Sequence, residues 1–142
     1  MNPAYNKADR WYNILFIVIA VAGITLRLYQ HFCGRPLWED EAHLALNFIC
    51  FGYKDLSIPL DHYQVAPILF LYITETVTRI FGFSEVVLRS FPFFVSLLSY
   101  PLFYYVVQYL TKSRLSAIIA FSILTFNTVV IQYSSELKPY TI

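Results

Sequence analysis

The stretch from Phe91 to Leu110, FPFFVSLLSYPLFYYVVQYL, runs through 20 residues without one charged side chain. As a helix rising about 1.5 Å per residue it measures about 30 Å, the thickness of a bilayer's hydrocarbon core. A helix apolar on every side is buried in a large core or in lipid, and this chain of 142 residues is small for the first. Composition agrees with lipid. Hydrophobic residues make up 58%, aromatic residues 19% and charged residues only 13%, where a soluble domain carries about 25% charge. The fold class expected is an all-α integral membrane protein.

Two more segments have this character. Trp11 to Phe32 is free of charge from Ile14 to Leu26 and carries Trp11, Tyr12 and Tyr29 towards its ends, where aromatic rings suit the membrane–water interface. Arg27 sits near one end, placed to snorkel. Leu115 to Ile131 is the third segment, so spans are expected at about 11–32, 90–110 and 114–132, with an outer loop over about 33–88. Pro92 belongs in the first turn of the second span, and Pro101 is expected to kink it. Only Thr111 to Arg114 separates the second span from the third, which requires a tight hairpin. No small-x-small cleavage site follows the first segment, so it reads as an uncleaved anchor. Lys7 and Arg10 place its N-terminus in the cytoplasm.

Val65 to Phe81 begins like a span, but Glu75 and Arg79 occupy its second half. A charge in mid-bilayer costs about 3 kcal/mol on insertion scales. If this segment lies in the interface, Lys7, Arg10 and the Lys112–Arg114 hairpin share the cytoplasmic side, as the positive-inside rule prefers. Glu39–His43 and the final YSSELKPY then share the outer face, and this is the topology expected. Three spans with an apolar seam close poorly, so residues 1–142 read as the N-terminal portion of a larger polytopic bundle.

Several function classes drop out. A net charge of +1 without a basic run offers nucleic acid no electrostatic footprint. The glycines (Gly23, Gly34, Gly52, Gly82) are isolated, so no glycine-rich phosphate loop exists. Cys33 and Cys50 fit neither a disulfide framework nor a zinc pattern and read as buried small hydrophobes.

Against this background Glu39, Asp40 and Glu41 stand side by side just after the first span. Acids suit the first turn of a helix, where the macrodipole is positive. WEDEAHLALNFI reads as such a start, with Ala42, Ala45, Leu46 and Ile49 as the apolar stripe and Glu39 in solvent. Asp40 or Glu39 with His43 makes only a weak metal pair, and a divalent metal stays open. DEAH is no helicase box here, because no phosphate loop accompanies it. Adjacent helical residues point about 100° apart, so Asp40 and Glu41 have different tasks. One can act as a base at the membrane boundary while the other holds the loop or a bound group.

These residues carry a resemblance. LRLYQHFCGRPLWEDEAHLAL resembles the first span and first outer loop of the GT-C membrane glycosyltransferases, among them protein O-mannosyltransferases and the aminoarabinose transferases that modify lipid A. Their Asp-Glu pair is matched by Asp40 and Glu41. YQVAPILFLYITETVTRIFGFSEVVLRSFPFF resembles the outer surface helix and the approach to the second span, and QYSSELKPYTI resembles the Glu-x-Arg/Lys-Pro-Tyr signature of bacterial members. Many members have His-Pro-Pro or Glu-Lys-Pro before the surface helix, where this chain has DHYQVAPI.

The resemblance implies transfer of a sugar from a polyprenyl-phosphate donor to a lipid, glycan or protein acceptor, with inversion, at the outer face of a bacterial cell membrane. Asp40 would be the general base and Glu41 its partner in the catalytic pair. Gln64, Glu136, Lys138 and Tyr140 would bind substrate, Lys138 meeting the leaving phosphate, while Arg89 anchors the second span. Residues 1–142 alone would lack the rest of the donor cavity and be inactive. A rival of another class is a non-catalytic scaffold or transporter segment, but that places its acids within a span, and these lie outside every clear one.

Overall fold

The computed structural model describes residues 3–138. Among the described residues all regular structure is helical: α1 (Pro3–Phe32), α2 (Glu39–Cys50), α3 (Ile68–Phe81), α4 (Glu85–Leu88), α5 (Ser90–Thr111), α6 (Arg114–Phe126) and α7 (Thr128–Tyr133). Short 3-10 turns at Asp55–Ser57 and Asp61–Tyr63 lie between α2 and α3.

Two helices are long and apolar enough to cross a membrane, Asp9–Phe32 within α1 and Ser90–Thr111. Their 24 and 22 residues give lengths of about 36 and 33 Å. Lys112 turns left-handed (φ 51°) and Ser113 caps α6 by accepting from the Ser116 N–H, which makes the tight hairpin the spacing demands. The third apolar segment is not one continuous helix. Asn127 accepts from the N–H groups of Val129 and Val130, taking donors that would otherwise reach back to preceding carbonyls, so α6 ends and α7 restarts. In the Trp11–Phe32 segment Arg27 departs from expectation. It does not snorkel: it is 1% exposed and lies over the Tyr100 ring at 4.3 Å.

α6 packs against both α1 and α5, around Ile19, Tyr100, Tyr104, Ala117, Ile118 and Phe121. In lipid such packing depends on small residues, close contact and interhelical hydrogen bonds rather than on water exclusion. Gly23 supplies the close contact: a Cβ there would stand 1.9 Å from the Tyr100 hydroxyl. That hydroxyl bonds Thr125 of α6. At one end of the bundle Asp9 pairs with Arg114 at 3.1 Å, so the start of α1 and the α5–α6 hairpin share that end.

At the other end α2, α3, α4 and residues 134–138 form a second layer. Its core comprises Leu44, Phe48, Leu56, Phe70, Leu71, Leu88 and Leu137, each contributing about 1.5–3 kcal/mol by burial. The expected stripe on α2 is rotated: Glu41, Leu44, Ala45, Asn47 and Phe48 face inward, while Leu46 and Ile49 are exposed. Cys33 and Cys50 are free and exposed, not buried.

α3 has 14 residues, about 21 Å and short of the hydrocarbon thickness. The chain leaves α1 and begins α5 at the same place, since Arg89 donates to the carbonyls of Arg35 and Pro36 at 2.6 and 3.2 Å. A single crossing by α3 would separate those residues to opposite ends. The orientation is open to a direct check. In a background lacking Cys33 and Cys50, cysteines at exposed Glu39 and Ser84 are expected to react with an impermeant thiol reagent from outside, and one at Lys112 only after permeabilisation. The reverse pattern would turn the bundle over.

Candidate active site

The second layer is tied together by one carboxylate. Glu41 is fully buried, and Arg89 grips it with two parallel bonds, Nε to Oε1 at 3.0 Å and Nη2 to Oε2 at 2.6 Å. The Leu137 N–H adds a bond to Oε1 at 2.7 Å, and the Trp38 N–H one to Oε2 at 3.4 Å. A glutamate at the third helical position reaching back to the cap is half of a capping box. Charge-assisted, bidentate bonds of this kind are the strong ones. With the Arg35 and Pro36 carbonyls on Arg89, this knot joins the α1–α2 loop, the first turn of α2, the α4–α5 junction and the tail. Arg89 is the anchor expected of it.

With Glu41 turned inward, Asp40 turns outward, its side chain 56% exposed. Lys138 Nζ lies 4.0 Å from Asp40 Oδ2 and donates to Gln64 Oε1 at 2.7 Å. The structure thus brings together three residues that lie far apart in sequence.

Gln64 is positioned by a constrained loop. The Asp61 N–H donates to Asn47 Oδ1 at 2.9 Å, and His62 stacks on His43 with centroids 4.6 Å apart and planes within 8°. His62 and Tyr63 both adopt positive φ, 58° and 55°, a left-handed pair rare for non-glycine residues. Such conformations persist where surrounding contacts over-determine them, as at ligand-binding segments. Asn47 and the imidazole stack escape a linear reading of the sequence. The signal for Asn47 was a polar residue between Leu44 and Phe48 on the buried side of α2.

Glu136 is fully buried, and its carboxylate pairs with Arg35 Nη2 at 3.5 Å. Burial pushes its carboxyl above the usual range, opposed by Arg35 and reinforced by the charge of Glu41. Folding therefore favours the protonated form, so this residue supports folding in acid and opposes it as pH climbs past the ordinary carboxylate range. Glu136→Gln is expected to raise the unfolding temperature near pH 8, with the gain shrinking as pH falls towards 4. A thermal series across pH that shows no such convergence would contradict this account.

Tyr140 lies outside the described residues. Among the described residues no group of three or more His, Cys, Asp or Glu is gathered to hold a metal ion. The arrangement can take up a proton at Asp40, offer an ammonium beside it and fix a hydroxyl or amide through Gln64.

No curated protein and no solved structure matches the chain. The family model of the dolichyl-phosphate-mannose-protein mannosyltransferases matches residues 56–135, from the first 3-10 turn through α7, including Gln64 and Arg89 but not Asp40. With more than half of its length so matched, this membrane chain belongs to the dolichyl-phosphate-mannose-protein mannosyltransferase family, glycosyltransferases that use a lipid-phosphate-linked sugar.

Proposed function

We propose that this chain carries the acceptor-activating part of an inverting glycosyltransferase working at the outer face of a bacterial cell membrane, with a polyprenyl-phosphate sugar as donor. Asp40 is the general base. It takes the proton from an acceptor hydroxyl while that oxygen attacks the anomeric carbon from the side opposite the phosphate. The carbon–oxygen bond to phosphate breaks, and its electron pair stays on the phosphate oxygen. Lys138 faces the charge that develops there, the kind of interaction that favours the transition state over the ground state.

The observation that carries this reading is the convergence of Asp40, Lys138 and Gln64 at the end of the bundle opposite the Lys112 hairpin. At 4.0 Å the Asp40–Lys138 pair is loose, so a donor phosphate can draw the ammonium away and leave Asp40 ready to accept a proton. Gln64, Glu136 and Tyr140 complete the substrate contacts. Glu41 acts through the loop, as the positioning half of the Asp-Glu pair.

The test is a transfer assay with labelled polyprenyl-phosphate sugars and membranes containing the full-length protein. Transfer to any acceptor supports the reading, and no transfer across mannosyl, glucosyl and aminoarabinosyl donors would remove it. Lys138→Gln is expected to lower transfer about ten- to a hundredfold, in line with about 1.5–3 kcal/mol for a hydrogen bond to a charged group. An unchanged rate would take Lys138 away from the phosphate.

A further inference from the structure

A cavity of about 260 Å³ lies inside the bundle, and it shares no lining residue with the Asp40, Gln64 and Lys138 cluster. Its polar walls are Arg27, Ser96, Ser99, Tyr100 and Tyr133, and Leu124 and Val130 complete it. Arg27 is the residue that needs explaining. It is 1% exposed, its Nη1 donates to the Gly23 carbonyl at 3.2 Å, and its Nε has no hydrogen-bond partner. Among the described residues no carboxylate forms an ion pair with it.

Arginine does not lose its proton in proteins, so this charge is permanent. A charged side chain within a spanning helix faces the bundle interior or a polar cavity, and such residues mark functional sites by default. The face of Tyr100 offsets part of the cost of burial through its quadrupole, yet a ring supplies no negative charge. Depth narrows the choice of counter-ion. Arg27 stands five residues before Phe32, the end of α1, about 8 Å below that end. α1 is longer than the hydrocarbon is thick, so this level falls near the boundary between headgroups and chains. Ser99 lines the cavity and is itself exposed, next to Leu98, which is 75% exposed. The mouth therefore opens on the exposed face of α5.

We propose that this cavity holds the phosphate of a lipid, bound by the Arg27 guanidinium and the Ser96 hydroxyl, with its hydrocarbon leaving past Ser99 and Leu98 into the bilayer. A guanidinium fork matches a phosphate with two parallel bonds, and the buried Ser96 hydroxyl on the same wall can donate to a remaining oxygen. A free anion would have to shed its water to reach this depth, whereas a lipid delivers its phosphate there. The same chemistry belongs to a glycerophospholipid of the bilayer and to a polyprenyl phosphate.

The experiment uses the delipidated full-length protein, with thermal unfolding and native mass spectrometry as readouts and no transfer assay, so its failure leaves the catalytic reading untouched. The probes are phosphatidylglycerol, phosphatidylcholine, a polyprenyl phosphate, inorganic phosphate and a diacylglycerol that has chains but no phosphate. A rise of several degrees in Tm and a retained lipid adduct are expected with one or more phosphate lipids, and neither with diacylglycerol or inorganic phosphate. Response to the glycerophospholipids assigns the cavity to the bilayer, and response to polyprenyl phosphate alone assigns it to that carrier. Ser99→Leu fills the mouth at an exposed position and leaves the Gly23 and Tyr100 contacts of Arg27 in place. It is expected to abolish the response, as is Arg27→Gln. Equal stabilisation by diacylglycerol, no response to any phosphate lipid, or a response that survives Ser99→Leu would overturn the proposal.

Discussion

Replacing Asp40 by Asn in the full-length protein is expected to lower sugar transfer by about a hundred- to ten-thousand-fold, the range lost when a general base is removed. Asn keeps the size of the side chain and can still accept a hydrogen bond from Lys138, but it cannot carry away the acceptor's proton. Asp40 is more than half exposed and takes no part in the Glu41–Arg89 knot, so expression and thermal stability should stay near wild type. Donor binding should also hold, since the phosphate contact lies with Lys138. Single-turnover transfer with bound donor separates these steps. A variant that turns over within a few-fold of wild type would take Asp40 out of the base role.

Arg89→Met should have the largest effect on stability. It would leave the Glu41 carboxylate fully buried with only the Leu137 and Trp38 N–H groups against it. Breaking a buried ion pair by removing one partner costs about 3–5 kcal/mol, mostly as the penalty of the stranded charge. That is a large share of the stability of any domain. The double variant Glu41→Leu/Arg89→Met removes both charges and should recover much of the loss, since apolar replacement of a buried pair is often close to neutral. Recovery of stability without recovery of activity would identify the pair as the device that aims Asp40. Glu41→Gln keeps an acceptor for the Leu137 N–H and should reduce transfer less than Asp40→Asn. An Arg89→Met variant as stable as wild type would contradict this account.

The crossings of α1 and α5 were legible because their signal is simple: long runs without charge, that of α1 opened by Trp11 and that of α5 flanked by Arg89 and Lys112. α2 was legible as a helix from its acidic first turn, yet its rotation was not. The sequence separates the directions of Asp40 and Glu41 without saying which turns inward, and that is decided by Arg89, which lies 48 residues from Glu41. Arg27 fails for the same reason. Its environment is decided by Tyr100 on another helix, and a window along α1 contains no trace of that ring. In the third segment the residue that breaks the helix is Asn127, whose side chain competes with the backbone only where local geometry allows. Asp40, Gln64 and Lys138 could each be picked out as polar groups at the edges of apolar segments. Their meeting depends on the Asn47 staple and the left-handed turn at His62 and Tyr63, features that periodicity does not encode.

The knot around Glu41 also sets a timetable for biogenesis. Its donors come from parts of the chain made at different times: Arg89 follows Glu41 by 48 residues and Leu137 by 96. At a synthesis rate of about 5–20 residues per second, Glu41 is translated about 5–20 seconds before Leu137. Through that interval the carboxylate must remain hydrated, and the second layer cannot close over it. The apolar helices α5 and α6 and the hairpin between them are made while it waits. The last donor is a backbone N–H next to Lys138, so the bond that completes the layer arrives together with the proposed phosphate contact. A nascent chain halted before the tail emerges would hold its α1–α2 loop open, with Asp40 displayed but unpaired.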